Sequence, residues 1–492
     1  MKDLGQQAIR GGLAKISAQA ANFVLRLGSF MILARLLGPK DFGLVGMVTA
    51  FTGVLDLLRD FGLSSAAVQR KNVTEEQIST LFWINILVGV LLGLLVMAMA
   101  PVIAAFYHEP RLLGVTIVLA LGFVFNAAGV QHSAHLQRHM RFSALAIINT
   151  MGLSVGTGVA IAGALAGYGY KALVAMTVTA PLASTIGLWV AAAWIPGLPR
   201  RGVGIRSMMR FGGTITLNGL VFCIATNFDK ILIGRFWGTG ALGIYGRAYQ
   251  LINIPTANLN TAAGEVAFAG LARVQDDPHR FKRYFSKGYS LVLALTVPIT
   301  IACALFADDV TLVALGPKWK DSAAIFRLLA PTILVFAVIQ PLTWLLESTG
   351  RVDRLLKIGL VMAPFMIGGY FAGLPYGPRG VAFAYSTVMT LSIIPFVFWI
   401  LHGTVISPKD VLGVLTRPLA SSVVAAGLAF GARSLWGHEL PPLPRLILEN
   451  AVLLAVFTWM LLFVTGQKSL YLDLVRGFRR PAPVTKNALA SV

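Results

Sequence analysis

The chain has 492 residues, of which 56% are hydrophobic and 12% charged, with a mean hydropathy of +0.75. Soluble domains carry about 25% charged residues, so this composition excludes an ordinary cytoplasmic enzyme, a disordered protein and a nucleic-acid-binding domain. The 41 Lys and Arg against 20 Asp and Glu give a net charge of +21, which in a membrane protein points to cytoplasmic loops, anionic headgroups or an anionic substrate.

Taken in chain order, the start does not read as a secretory signal. Ala18-Gln19-Ala20 resembles a cleavage box, yet the stretch before it is polar and the apolar run begins only after it. Runs of about 20 apolar residues, the length that spans a bilayer, predict an all-α polytopic membrane protein with about fourteen helices. The first six lie near 13–37, 42–67, 79–106, 112–135, 143–167 and 171–195. The next six lie near 208–234, 241–272, 287–315, 324–348, 355–374 and 380–402, and two more near 411–435 and 444–466. The organisation expected is an N-terminal six-helix lobe (1–200), a like-oriented second lobe (201–403), two additional helices (404–466) and a basic tail (467–492). Basic clusters such as Arg200, Arg201, Arg206 and Arg210, or Arg280, Lys282, Arg283 and Lys287, place both termini in the cytoplasm by the positive-inside rule. Cys223 and Cys303 both sit in apolar runs and read as packing residues. No loop is long enough to hold a soluble domain, so the chemistry belongs inside the bundle.

The sequence repeats itself. Arg35-Leu-Leu-Gly38-Pro-Lys-Asp-Phe-Gly43-Leu-Val-Gly46 matches Arg235-Phe-Trp-Gly238-Thr-Gly-Ala-Leu-Gly243-Ile-Tyr-Gly246 at an offset of 200. Leu136-Gln137 with Arg141 parallels Leu346-Glu347 with Arg351, and Gly169-Tyr-Lys171 parallels Gly377-Pro-Arg379. Six helices per repeat give both halves the same polarity, so they frame a cleft between them.

Charge inside a spanning helix costs about 2.5–3.5 kcal/mol per residue and generally faces a cavity or a partner. Here it gathers in equivalent helices of the two halves. Arg26 sits midway along the first helix beside Asn22, and Asp56, Arg59 and Asp60 lie in the second. Asn227, Asp229 and Lys230 lie in the seventh, and Glu265 lies in the eighth, which Pro255 is expected to interrupt. Two readings stand at this point: structural ion pairs such as Asp56 with Arg59, or a wet cationic cavity attracting a phosphate-bearing substrate, whose oxygens an Arg fork can hold in pairs. His132, His135 and His139 share a helix face, but no adjacent carboxylate or Cys completes a metal site, and an interfacial cluster near Arg138 and Arg141 is expected. Neither a nucleotide-binding loop nor a Ser/His/Asp set is present, so the chain reads as a non-enzymatic carrier without cofactor or metal, apart from a coupling H+ or Na+.

Several motifs resemble the bacterial polysaccharide-transporter flippases of the colanic-acid and exopolysaccharide branch. They are Ala34-Arg35-Leu-Leu-Gly38-Pro-Lys-Asp-Phe-Gly43, Asp60-Phe-Gly62-Leu-Ser-Ser-Ala-Ala-Val-Gln69, Leu81-Phe-Trp83-Ile-Asn85, Phe228-Asp229-Lys230-Ile-Leu-Ile-Gly234-Arg235 and the Gln131-to-Arg141 run. The resemblance implies the fold of the multidrug/oligosaccharidyl-lipid/polysaccharide exporter superfamily. It also implies flipping of an undecaprenyl-pyrophosphate-linked oligosaccharide across the bacterial inner membrane for exopolysaccharide or lipopolysaccharide assembly. Polymerase and chain-length machinery would be its neighbours, with membrane lipids and no nucleic acid as further partners. In related peptidoglycan-precursor flippases arginines of the first, second and eighth helices line a cationic cavity. Arg26 and Arg59 stand in matching helices. The eighth departs, offering Glu265 instead of a deep Arg, with Arg247 only near its outer end, and Lys230 is the substitute. The expected substrate site is therefore Arg26, Arg59, Lys230, Asn22 and Asn227, with Asp56, Asp60, Asp229 and Glu265 coupling to an ion or balancing charge. A cation-coupled multidrug exporter on the same fold, or a membrane polymerase or ligase, is the alternative.

Overall fold

Each predicted helix has a counterpart in the computed structural model of the chain, which describes residues 22–60, 74–200, 206–273, 277–436 and 440–468. Helix α1 (22–36) is followed by α2 (Pro39–Asp60), α3 (Glu75–Tyr107), α4 (Arg111–Arg138), α5 (Phe142–Leu165) and α6 (Tyr170–Ala192). The stretch Arg206–Arg273 is helical except at Gly238, whose φ of 79° only glycine adopts readily. That residue divides it into α7 (206–237) and α8 (239–273). The expected interruption at Pro255 is corrected: the backbone stays helical through it, since neighbouring helices and local adjustment can absorb the missing N–H in a membrane helix.

The chain continues with α9 (Pro278–Leu305), the short α10 (Ala307–Ala314) and α11 (Lys320–Leu329), then α12 (Pro331–Ser348) and α13 (Val352–Gly373). It closes with α14 (Gly377–Leu391), α15 (Ile393–Leu401), α16 (Pro408–Trp436) and α17 (Pro442–Trp459). Residues 307–329, read from sequence as the ends of two spans, form two short helices instead, because Gly316-Pro317 breaks the run. No strand occurs among the described residues. Ten described helical stretches are long and apolar enough to cross a membrane. Helix α3 has 33 residues, about 50 Å at 1.5 Å per residue. It starts on a capping box between Thr74 and Gln77 and leaves Leu87, Leu91, Leu94 and Leu95 exposed on a face suited to lipid.

Two compact units emerge. The first comprises Met1–Ile254, Thr311–Leu329 and Leu356–Val388. Small residues let its helices approach closely: Gly152 and Gly156 of α5 lie against Ala180 and Ser184 of α6, and Gly89 of α3 lies against Ala127 of α4. The repeat closes on itself here. A Cβ on Gly43 would run into the carbonyl oxygen of Thr239, and one on Gly243 into that of Pro39; the offset of 200 exchanges the two contacts, since it carries Gly43 to Gly243 and Pro39 to Thr239. The motif arginines are exchanged in the same way. Arg35 donates to Val313 O (2.8 Å), beyond α9, and Arg235 meets His108 Nδ1 (3.0 Å), beyond α3. Trp319, fully buried, locks the crossing by donating to Ala34 O at 2.8 Å with its ring 5.6 Å from Phe42.

The second unit comprises Pro255–Val310, Ala330–Leu355 and Met389–Val492. In it the α16–α17 hairpin packs on α9 through Phe306, Ala425, Ala429, Leu453 and Phe457. An ionic knot holds the same seam. Asp309 and Glu449, each 1% exposed, share Arg433 (3.4 and 3.6 Å), and Arg445 also pairs with Asp309.

Two stability outcomes follow from these seams. Gly43→Val or Gly243→Val forces the helix starts apart and is expected to cost about 1–3 kcal/mol, whereas Gly114→Ala, with open space around it, costs nothing; thermal aggregation of purified protein in detergent checks both. Arg433→Ala takes the ion-pair partner of the buried Glu449 and leaves Asp309 with Arg445 alone, and is expected to cost about 3 kcal/mol, while Arg433→Met combined with Glu449→Leu recovers part of that loss in the same measurement.

Candidate functional site

The face-to-face packing of the repeat leaves a cavity of about 300 Å³ in the first unit, and its lining includes Phe42, Thr49, Thr177, Lys230, Arg247 and Gln250. Each cation is positioned by its helix. Asn227 and Lys230 lie three residues apart on α7 and so share a face; Lys230 Nζ donates to Asn227 Oδ1 (3.0 Å) and Thr226 O (3.1 Å) and lies 4.7 Å from the Tyr249 ring centre. Asp229, one residue earlier, points elsewhere. It is 1% exposed and accepts from the Tyr245 hydroxyl at 2.6 Å and from Lys230 N at 2.7 Å. Arg247 is 8% exposed, donates to Gln250 Oε1 (2.7 Å) and sits over two rings, 3.5 Å from the Phe42 centre and 4.7 Å from that of Phe30.

The cavity lining thus carries two cations and no carboxylate. Phenyl faces recover part of the lost hydration of a guanidinium, yet a buried Arg whose described partners are two rings and one amide remains short of negative charge. Each cation is worth about 4 kcal/mol to an anion at contact for an effective dielectric near 20.

The residues expected from sequence fall around this cavity. On α2 the stripe Phe42, Gly46, Thr49 that lines it continues at helical spacing through Gly53, whose carbonyl lies 3.7 Å from Cys223 Sγ, to Asp56. Asp56 pairs with Arg59 at 2.9 Å, and Arg59 Nε is buried without a hydrogen-bond partner among the described residues. Arg26 is exposed and lies one turn from Phe30, on the face of α1 that meets Arg247. Asn22 accepts from Thr150 Oγ1 (3.0 Å), and Asn227 also donates to Cys223 O (2.9 Å). The side chains of Asp60 and Glu265 lie outside the described residues. Arg247 was undervalued from sequence as an outer-end residue. Its signal was the stripe Gly243, Gly246, Arg247, Gln250 along one face of α8, all four of which line the cavity.

The histidine expectation is corrected in part. His132 is fully buried beneath Trp189 (4.3 Å) and Trp194 (5.1 Å), because the chain after α6 folds back over it. His135 and His139 do lie together, their rings 4.3 Å apart. Among the described residues no group of His, Cys, Asp or Glu is arranged to hold a metal.

The sign of the cavity is open to direct measurement. With Cys223 and Cys303 replaced by Ser, a Thr49→Cys thiol should react several-fold faster with a sulfonate-bearing methanethiosulfonate, relative to free thiol, than with the trimethylammonium analogue. Adding Lys230→Gln should remove most of that preference.

Residues 32–324 match the family of polysaccharide biosynthesis proteins. The chain is 26% identical over 379 residues to the lipopolysaccharide biosynthesis protein WzxC of Escherichia coli K12, covering 75% of this chain and 77% of that one. It is 30% identical over 335 residues to the teichuronic acid biosynthesis protein TuaB of Bacillus subtilis 168, covering 67% and 69%. Among solved structures it is similar to the lipid II flippase MurJ in an inward closed conformation, with a TM-score of 0.73 at 14% identity over 95% of this chain and all of that one. It is also similar to an inward-facing multidrug transporter of the MATE family, with a TM-score of 0.61 at 13% identity over 82% and 98%. These likenesses to solved structures show a shared membrane-transporter fold, and the match over more than half of its length shows that the chain belongs to the family of polysaccharide biosynthesis proteins.

Proposed function

We propose that this protein is a flippase that carries a polyprenyl-pyrophosphate-linked oligosaccharide across the bacterial inner membrane for polysaccharide assembly, with both termini in the cytoplasm. The observation that carries the reading is the acid-free cavity between the repeated halves, with Lys230 and Arg247 in its lining. A carrier of cationic drugs needs negative charge at that place, and the lining supplies the opposite sign. Arg59 and Arg26, on the faces of α2 and α1 that lead to the cavity, grip the pyrophosphate, and Asn22 and Asn227 hold the neighbouring groups in place. The polyprenyl tail stays in lipid while the sugars pass through the wet interior.

The cycle is alternating access. The crossing of Gly43 with Gly243, with Arg35 and Arg235 reaching across it, is the closed gate on the far side. Opening it requires a second state that the cargo or a coupling ion favours by differential binding. Asp56, Asp229, Asp60 and Glu265 are the carboxylates available to take up H+ or Na+ or to balance the arginines. The protein acts as a carrier, and the polymerase is a separate partner.

Arg26→Ala and Arg59→Ala, made singly, are each expected to lower polymer export at matched expression by tenfold or more, the scale of one lost charge-assisted hydrogen bond. Export at the wild-type level by both variants would sink the assignment.

A further inference from the structure

The α5–α6 hairpin carries a second hollow, away from the cavity. It is a furrow of about 580 Å³ walled by Val159, Ala162 and Ala166 of α5 and by Ala172 and Ala175 of α6, with Tyr168 and Lys171 at the end where the helices turn. The sequence explains its shape. Gly163 brings α5 against α6, since a Cβ there would stand 3.0 Å from that of Ala172, and the small side chains around this close approach leave the space unfilled. Val159, Ala162 and Ala166 are exposed, so the furrow faces outward. Leu173, Met176 and Thr177, on another face of α6, line the cavity instead.

One charge stands in this apolar furrow. Lys171 is the second residue of a stretch long and apolar enough to span a membrane, the depth at which tyrosines and lysines meet lipid headgroups. It is exposed and has no ion-pair partner among the described residues. The repeat supplies the contrast. Gly169-Tyr-Lys171 corresponds to Gly377-Pro-Arg379, and Arg379 is paired with Asp321 at 3.3 Å. At the equivalent place one repeat answers its cation with a carboxylate, and the other sets it at the head of an apolar groove. That combination complements an anionic amphiphile, with a phosphate at the ammonium and a chain along the furrow. A single lysine matches a headgroup with a single net negative charge. A zwitterionic headgroup brings its own ammonium, and a pyrophosphate carries more charge than one lysine answers.

We propose that the α5–α6 furrow is a binding site for an anionic phospholipid, its phosphodiester held at Lys171 beside Tyr168 and one acyl chain lying along Ala166, Ala162 and Ala175. The site is separate from the cargo route and requires only that the chain lies in a bilayer. It also lies behind the crossing of the repeats. The turn at Gly169 rests on the first turn of α2, where a Cβ on Gly169 would stand 3.1 Å from Asp41 Oδ1, and Asp41 in turn accepts from Gly38 N at 3.0 Å. A headgroup at Lys171 is thus two residues from the support of the helix start that packs on α8.

The experiment places the full chain in phosphatidylcholine nanodiscs with a trace of phosphatidylglycerol or phosphatidylcholine carrying the same diazirine acyl chain. After illumination, mass spectrometry of the peptides reads the label on the α5–α6 hairpin. Wild type is expected to take about fivefold more label there from the phosphatidylglycerol probe, the preference that one basic side chain confers. Lys171→Gln, a change at an exposed position, brings the ratio to about one and leaves the phosphatidylcholine label as it was, whereas Lys171→Arg keeps the preference. Ala162→Phe fills the furrow and lowers the hairpin label from both probes severalfold. Label on the exposed leucine face of α3 stays constant in every variant, which separates loss of the site from loss of the fold. Equal labelling of the wild-type hairpin by the two probes overturns the proposal, as does an unchanged ratio in Lys171→Gln. Displacement of the phosphatidylglycerol probe by a short polyprenyl phosphate at lower concentration than by unlabelled phosphatidylglycerol also overturns it, making the furrow a seat for the isoprenoid carrier.

Discussion

The crossing of α2 and α8 at Gly43 and Gly243 is the constraint on which the rest of the first unit depends. At that point backbone meets backbone, and any side chain would displace a carbonyl. Because the contact is reciprocal, it sets the two repeats against each other in one register, and the remaining residues of the motif find partners as a consequence. Arg35 and Arg235 each reach the helix connection of the opposite repeat. Phe106-Tyr-His108 and Phe306-Ala-Asp308, which sit in those connections, stand at the same offset of 200. The cavity is the next turn along: Gly46 and Gly246, one turn beyond the crossing glycines, lie in its lining, where their lack of side chains leaves room. Crossing and cavity are thus two consecutive turns of one repeated helix pair, so a change in the crossing must change the cavity.

Much of this was legible in the sequence, for physical reasons that can be named. Spanning helices announce themselves because lipid cannot hydrogen-bond a backbone, and all fourteen predicted runs have helical counterparts. The repeat was legible because close approach demands glycine at both related positions. The short helices at 307–329 were not, because an apolar segment packed inside a protein has the same composition as one packed against lipid. The Pro255 expectation failed for a related reason: a proline's missing donor matters only where nothing else compensates. Arg247 was undervalued because depth along a helix was counted from a boundary, whereas its burial comes from Phe30 and Phe42, which other helices bring over it.

His132 shows the limit from the other direction. Its spacing with His135 and His139 suggested a shared interfacial role, but burial is decided by what crosses over the helix afterwards. Trp189 lies near the end of α6, the second helix further along the chain, and Trp194 just after it, and no local pattern around His132 foretells them.

The two units use the same side chains to opposite ends, and the difference lies in pairing. In the second unit Arg433 and Arg445 face Asp309 and Glu449, so two positive charges meet two negative ones and the knot is closed. Replacing either partner there leaves a buried charge uncompensated, which is the signature of a structural element. In the first unit, Arg247 and Lys230 are held by rings, amides and carbonyls, groups that stabilise a cation without neutralising it. A resident carboxylate would bind them more firmly and compete with any cargo. Asp229 is near enough to have played that part, yet the Tyr245 hydroxyl and the Lys230 backbone N–H hold it away from the lining. The cation pair is therefore held within the lining by groups that carry no negative charge. For the flippase proposed above that arrangement suits release, because neutral contacts hold the cations without occupying the place of an anion.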